Sequence, residues 1–168
     1  SRAAAAGGIT ALVGLPNTQP VIDDVAVVEF VARRAREVKL VKIFVYGAAT
    51  RRLEGQQITE MGLLREAGAL AFTDGTKAIA SARVMRHALS YASAFGALII
   101  QHPEDLSLAR GGDVTEGELA TRLGLAGIPA DAEAMMLERD RRLVRLTSGR
   151  YHAAHLSTAD GLEIIRQA

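Results

Sequence analysis

Short apolar runs, rich in β-branched residues, alternate along the chain with longer stretches of helical periodicity. This alternation is typical of parallel βαβ units. Each apolar run is nearly continuous, as expected for interior strands that are covered on both faces. The pattern therefore predicts an α/β fold of one domain with five parallel strands, over residues 9–15, 42–46, 69–72, 97–101 and 151–154.

Helices are predicted between these strands by apolar residues at intervals of three and four. The first of them is capped by Asp23 or Asp24 and runs to about residue 38. In an insertion before the longest helix, Thr115 and Glu118 match the capping box of a short helix. The other helices are predicted over residues 59–66, 82–94 and 129–146, with a last one that Thr158 caps.

The composition narrows the class of ligand. Of the side chains, 49% are hydrophobic and 23% are charged, which is ordinary for a soluble protein with a core. The net charge of +1 is spread without a basic stripe, which argues against nucleic acid and favours small molecules. No apolar stretch approaches the roughly 18 residues of a membrane span. Cysteine is absent, which excludes thiolate chemistry and fits a reducing cytoplasm.

Polar side chains follow four of the predicted strands: Asn17, Asp74, His102 and His155. In a parallel barrel the loops after the strands open on one face, where catalytic groups converge. Two imidazoles and a carboxylate suit zinc or a similar divalent ion, which activates water and polarises a carbonyl. The sequence therefore predicts a metal site formed by Asp74, His102 and His155.

A purely structural role for these residues is the alternative to a metal site. A histidine at the end of a strand is often a hydrogen-bonded structural residue. His152 alternates with the apolar residues of its strand and is predicted either to be packed or to support the site by donating to a neighbouring carbonyl, and His87 is predicted to lie on the outer surface of a helix. The PNTQP segment, residues 16–20, also reads as a rigid turn that needs no ligand.

Four segments together resemble the bacterial dihydroorotases of the cyclic amidohydrolase superfamily. They are GLPNTQPVIDD, ITEMGLLREAGALAFTDG, IIQHPEDLSLARGGDVTEGELATRLGLAGIP and YHAAHLSTADGLEIIR, and they span nearly the whole chain in the family's order. The PNT after the first strand favours dihydroorotase over the related hydantoinases and allantoinases.

The resemblance implies a TIM barrel with one or two zinc ions that reversibly hydrolyses dihydroorotate to N-carbamoyl-L-aspartate in pyrimidine biosynthesis. It further implies a cytoplasmic homo-oligomer. By motif, His102 and His155 match two histidine ligands of the metal, and Asn17 matches the asparagine that binds the substrate carboxylate. The family's bridging carboxylate falls on Gly75, which leaves Asp74 as the only carboxylate there. Three alternatives follow: Asp74 reaches the metals because its loop is shifted, the site binds a single metal, or the site binds none.

The resemblance also implies that residues 1–168 are the central portion of one barrel domain, with strands two to six of eight. The family's His-x-His pair belongs before residue 1, and its catalytic Asp belongs beyond residue 168. We therefore expect no catalytic residue within the chain and no turnover by these residues alone. Two alternatives stay open: a catalytically inactive scaffold partner of aspartate transcarbamoylase, and a hydantoinase-type or allantoinase-type amidohydrolase.

Overall fold

The strands are arranged as the sequence predicts. The computed structural model describes residues 1–168, and its strands are β1 (Ala11–Gly14), β2 (Lys42–Ala48), β3 (Ala69–Thr73), β4 (Leu98–Gln101), β5 (Val114–Thr115), β6 (Gly127–Ile128) and β7 (Arg150–Ala153). Five of them form one sheet in the order β1-β2-β3-β4-β7, and every neighbouring pair is parallel. β5 and β6 form a separate parallel pair. The predicted α/β class and all five predicted strands are confirmed.

Helices connect the strands, as parallel pairing requires. They are α1 (Arg2–Ala6), α2 (Val25–Val38), α3 (Met61–Glu66), α4 (Ala82–Ser93), α5 (Leu106–Ala109), α6 (Glu118–Leu123), α7 (Asp131–Thr147) and α8 (Ala159–Arg166). Asp24, and not Asp23, caps α2 by accepting from Ala26 N, and Thr158 caps α8 by accepting from Gly161 N. None of these helices is both long and apolar enough to span a membrane.

The core lies between one face of the sheet and the helices. Val45, Phe72, Ile99 and partly buried Tyr151 point from the strands into this core. On β2 and β7, the alternating side chains Phe44 and His152 are exposed on the other face. The packed position predicted for His152 is therefore wrong, whereas the exposed position predicted for His87 is confirmed. A parallel sheet with helices on one face fits an arc of a TIM barrel.

The predicted capping box in the insertion is wrong. Thr115 belongs to β5, where it pairs with Ile128, and the residue before α6 is Gly117, which provides no side-chain cap. The strand pairing holds the backbone of Thr115 extended and keeps its hydroxyl away from the first turn of the helix. The insertion is therefore a small strand pair followed by a short helix.

The helix predicted from residue 59 begins later, at Met61. The buried hydroxyl of Thr59 donates to Ala48 O at 2.6 Å instead of capping the helix. Thr59 thus ties the loop that follows β2 to the end of that strand.

A buried polar network joins four elements directly beneath the carboxyl ends of β4 and β7. Gln101, the last residue of β4, accepts from Ile79 N at 3.2 Å and donates to Ile79 O at 3.4 Å. Arg139 of α7 donates to the same carbonyl at 3.0 Å, and its neighbour Asp140 accepts from Tyr151 Oη at 2.9 Å. The network fixes the strand ends from which the site residues project.

Asp140 makes the stability of the fold depend on pH. Burial raises the pKa of Asp140 above its usual 3.8, although the ion pair with Arg139 and the bond from Tyr151 oppose the shift. The folded state therefore binds this proton more tightly than the unfolded state does. The contribution of Asp140 to the free energy of unfolding falls as the pH rises from 3.8 through the raised pKa.

Asp140→Asn removes this titration. We expect the stability of the parent relative to Asp140→Asn, measured by urea unfolding at a series of pH values, to be greatest in acid and to decline as the pH rises above 3.8. A difference that stays constant or increases with pH would contradict the assignment.

Candidate functional site

The loops after four strands meet at one edge of the sheet. A Cβ added to Gly75, after β3, would lie 3.9 Å from Cβ and Cγ of Asn17, after β1. His102, after β4, places its Nδ1 3.3 Å from Thr76 O in the β3 loop. The rings of His102 and His155 have centroids 4.9 Å apart. The predicted convergence of these loops is therefore present in the structure.

The two histidines form a pair that suits a shared cation. Their rings are inclined at 60° to one another, and His102 is partly buried whereas His155 is exposed. Two imidazoles on one tetrahedral zinc, with Zn–N bonds of about 2.0 Å, would have centroids about 5 Å apart. The pair meets that requirement, so these residues fit zinc as two of its ligands.

The surroundings of His102 select one tautomer of its ring. The carbonyl oxygen of Thr76 can only accept a hydrogen bond, so the Nδ1 that faces it carries the proton. In the neutral tautomer that donates from Nδ1, Nε2 is the nitrogen that can act as a metal ligand. A backbone carbonyl that orients a histidine in this way is common at protein metal sites.

His155 has an unusual backbone conformation. Its φ is 59°, in the left-handed region, where a side chain costs roughly 1–2 kcal/mol, although histidine is found there more often than most residues. The residue before it is fixed, because Ala154 N donates to Gln101 O at 2.9 Å and so prolongs the pairing of β7 with β4. Strain of this kind concentrates at functional sites.

Asp74 is engaged elsewhere and does not join the histidine pair. Its carboxylate is 2% exposed, accepts from Thr50 N at 2.8 Å and also accepts from the Thr50 hydroxyl. Burial raises the pKa of Asp74, and the Thr50 bonds and Lys77 oppose that shift. No group of three or more His, Asp or Glu side chains in the structure is arranged to hold a metal ion. A metal-binding role for Asp74 stays a prediction, and it requires the carboxylate to leave Thr50.

Asn17 lies where a small molecule can reach it. Its side chain is exposed beside the β3 loop, and the preceding Pro16 is buried. Pro16 O accepts from Ile22 N at 3.0 Å and closes the turn that presents Asn17. A rigid turn and a binding loop are thus compatible descriptions of this segment.

One buried carboxylate beside the site, that of Glu133 on α7, is not among the residues predicted from the sequence. It accepts hydrogen bonds from Ser157 and Thr158, which follow His155 in the chain. The sequence does contain a signal for this carboxylate. Met136, Leu137 and Leu143 form an apolar stripe along α7. Glu133 and Asp140 lie on the same buried side of the helix. Two acids within an apolar stripe indicate buried polar contacts.

Comparison with solved structures supports the fold class. L-hydantoinase (dihydropyrimidinase) from Arthrobacter aurescens superimposes with a TM-score of 0.72 at 22% identity over 99% of this chain and 38% of that one. D-hydantoinase from Bacillus sp. AR9 gives a TM-score of 0.69 at 19% identity, again over 99% and 38%. At these identities the likeness concerns the fold alone. The chain thus has the α/β architecture that is found in part of these two hydantoinases.

Sequence comparison gives the family. A model described as dihydro-orotase-like matches residues 1–161, and the chain belongs to this family. It is 46% identical over 168 residues to a dihydroorotase from Anaeromyxobacter sp. (strain K), and 43% identical over 165 residues to one from Solibacter usitatus (strain Ellin6076). The chain spans 39% and 38% of the lengths of these two relatives.

Proposed function

We propose that the protein carrying this chain is a zinc-dependent dihydroorotase that reversibly converts dihydroorotate to N-carbamoyl-L-aspartate in pyrimidine biosynthesis. The observation that supports this most directly is the pair formed by His102 and His155, with ring centroids 4.9 Å apart at the carboxyl ends of adjacent strands. Membership of the dihydro-orotase-like family and the names of the relatives point to the same reaction.

Each site residue has a role in this proposal. His102 and His155 hold zinc, with the Thr76 carbonyl keeping the proton of His102 on Nδ1. When bound, zinc supplies Lewis acidity that polarises a carbonyl and lowers the pKa of water. The exposed amide of Asn17 donates to a carboxylate of the substrate and so orients its ring. Asp74 contributes a further ligand only if its loop rearranges.

The proposal also covers the metal content, the oligomeric state and the cellular location of the enzyme. We expect one or two zinc ions per subunit, a homo-oligomer and a cytoplasmic location. Residues 1–168 contain no cysteine, so histidine and carboxylate side chains are the metal ligands that this part of the protein provides.

Activity and metal content together test the proposed function. The protein at its natural length is expected to hydrolyse dihydroorotate, to lose this activity when a chelator removes zinc and to regain it when zinc is restored. Hydantoin and allantoin serve as comparison substrates and should be hydrolysed more slowly. A zinc-loaded protein that hydrolyses either of them faster than dihydroorotate would contradict the assignment of substrate.

A second candidate function is a catalytically inactive scaffold partner of aspartate transcarbamoylase. It is favoured by the occupied carboxylate of Asp74 and by the absence of a group of three donors. A protein that contains no zinc, does not hydrolyse dihydroorotate and co-purifies with aspartate transcarbamoylase would establish this alternative.

A further inference from the structure

Glu133 has a setting that packing alone does not explain. The residue is 7% exposed and belongs to the first turn of α7. Its Oε2 accepts from Ser157 N at 2.7 Å and from Ser157 Oγ at 2.9 Å, and its Oε1 accepts from Thr158 N at 3.1 Å and from Thr158 Oγ1 at 2.5 Å. Burial of a carboxylate is unfavourable unless such bonds compensate for lost water. An apolar side chain would pack α7 without that requirement.

The carboxylate also lies against the beginning of α8. Thr158, which donates to Glu133, caps α8 by accepting from Gly161 N at 2.9 Å. A Cβ added to Gly161 would lie 2.0 Å from Glu133 Oε1, so this contact requires glycine. The positive end of the helix dipole favours a negative charge at this place. One side chain of α7 thus holds both the turn after β7 and the helix that follows it.

The held turn is the one that presents His155. A cavity of about 60 Å³ is lined by His102 and His155 and also by Glu133, Ser157 and Thr158. Upstream of His155, Ala154 is bonded to β4, and downstream, Ser157 and Thr158 are bonded to Glu133. His155 therefore keeps its left-handed conformation because the chain is fixed on both sides of it.

We propose that Glu133 is a positioning residue that fixes the turn after β7 and thereby sets the His155 imidazole against that of His102. The inference deepens the proposed function and rests on it for the identity of the metal, whereas the fixing of the turn can be measured without metal. Loss of a bond made directly to a metal ligand typically weakens metal binding by about 10–100-fold, and we expect a loss within this range although Glu133 bonds to the turn and not to the His155 ring.

Glu133→Gln in the protein at its natural length provides the test, because glutamine keeps the volume and removes the charge. Its amide presents one acceptor oxygen to a turn that uses two, so at least one backbone N–H loses its partner. Leu143→Ala is the matched control, since it shortens a side chain of the same helix that packs against the core and leaves the turn untouched. Ser157→Ala is a milder second variant that deletes only one hydroxyl donor.

Three measurements are made on each variant: hydrogen exchange of the Ser157 and Thr158 amides, the nuclear Overhauser contact between the His102 and His155 rings, and zinc affinity by competition with a chelator. In Glu133→Gln we expect exchange to accelerate by about tenfold or more, the ring contact to weaken, and zinc affinity to fall about 10–100-fold. Ser157→Ala should change each quantity in the same direction by less. In Leu143→Ala the melting temperature should fall while the three quantities stay at the parent values.

The outcomes separate this inference from the proposed function. If Glu133→Gln and the control Leu143→Ala have the same hydrogen exchange, histidine ring contact and zinc affinity, the inference is overturned. This holds even if the parent is an active zinc enzyme. A parent that binds no zinc would remove the proposed function, and exchange and ring contact in the apo protein would still support or overturn the role of Glu133. If Glu133→Gln does not fold, Ser157→Ala decides: parent-like values for all three quantities would overturn the inference.

Discussion

We expect the replacement of either paired histidine to remove the zinc ion that the pair is proposed to hold and to lower kcat for dihydroorotate by about 10³-fold or more. The magnitude follows because a bound metal contributes several kcal/mol of transition-state stabilisation, and about 4 kcal/mol corresponds to about 10³-fold. The variants are His102→Asn and His155→Asn, assayed together for bound zinc and for activity. Asparagine suits position 155 because it tolerates the left-handed conformation, with φ of 59°, without distorting the turn.

His87→Asn is the matched control. His87 lies exposed on α4, away from the strand ends, so the same change there should leave zinc content and kcat at the parent level. The melting temperature of metal-free His155→Asn should equal or slightly exceed that of the metal-free parent, which shows that any loss of zinc is not a loss of folding. Zinc content equal to that of the parent in both site variants would refute the assignment of the pair.

The second large effect concerns the bonds between Asp74 and Thr50. Asp74→Ala should lower the free energy of unfolding by about 2–4 kcal/mol, because it leaves the amide and hydroxyl of Thr50 without their buried acceptor. Thr50→Val should lower it by about 1–2 kcal/mol, since the Thr50 hydroxyl also accepts from Gly55 N at 2.9 Å. Urea unfolding measures both, and Thr10→Val, at an exposed position, is the control, expected to stay within about 0.5 kcal/mol.

The same variants decide between the two roles considered for Asp74. If Asp74 only anchors the β2 loop, then zinc affinity changes little in Asp74→Ala and in Thr50→Val while stability falls in both. If Asp74 is a ligand, zinc affinity falls in Asp74→Ala and is retained in Thr50→Val. An Asp74→Ala protein with unchanged stability would contradict the anchoring seen in the structure.

The main sheet was predictable because its strands are short, mostly apolar runs separated by segments of helical periodicity, which indicates parallel βαβ units. The expectation that every strand is interior and covered on both faces is wrong, because β1 and β7 form the edges of the sheet and one face leaves Phe44 and His152 exposed. The strands β5 and β6 were not predictable in the same way, since each has two residues and no periodicity can be read from two positions. The Thr115–Glu118 spacing fits a capping box and a strand end equally well at the level of sequence. The pairing of Thr115 with Ile128, which decides between them, is a tertiary contact.

The histidine pair was predictable from a general rule, that the loops after parallel strands share one face of the fold. The direction of the Asp74 carboxylate was not predictable, because it depends on Thr50, which lies 24 residues earlier in the chain. Glu133 is recognisable in the sequence as an acidic residue within the apolar stripe of α7. Its partners Ser157 and Thr158 emerge only when α7 packs beside the turn after β7.

Anomalous diffraction at the zinc edge, from crystals of the protein at its natural length, shows whether His102 and His155 bind one metal ion together. We predict a zinc peak bonded to one nitrogen of each ring at about 2.0–2.1 Å. Active, zinc-containing crystals with the metal elsewhere and with no peak between these two rings would contradict the claim.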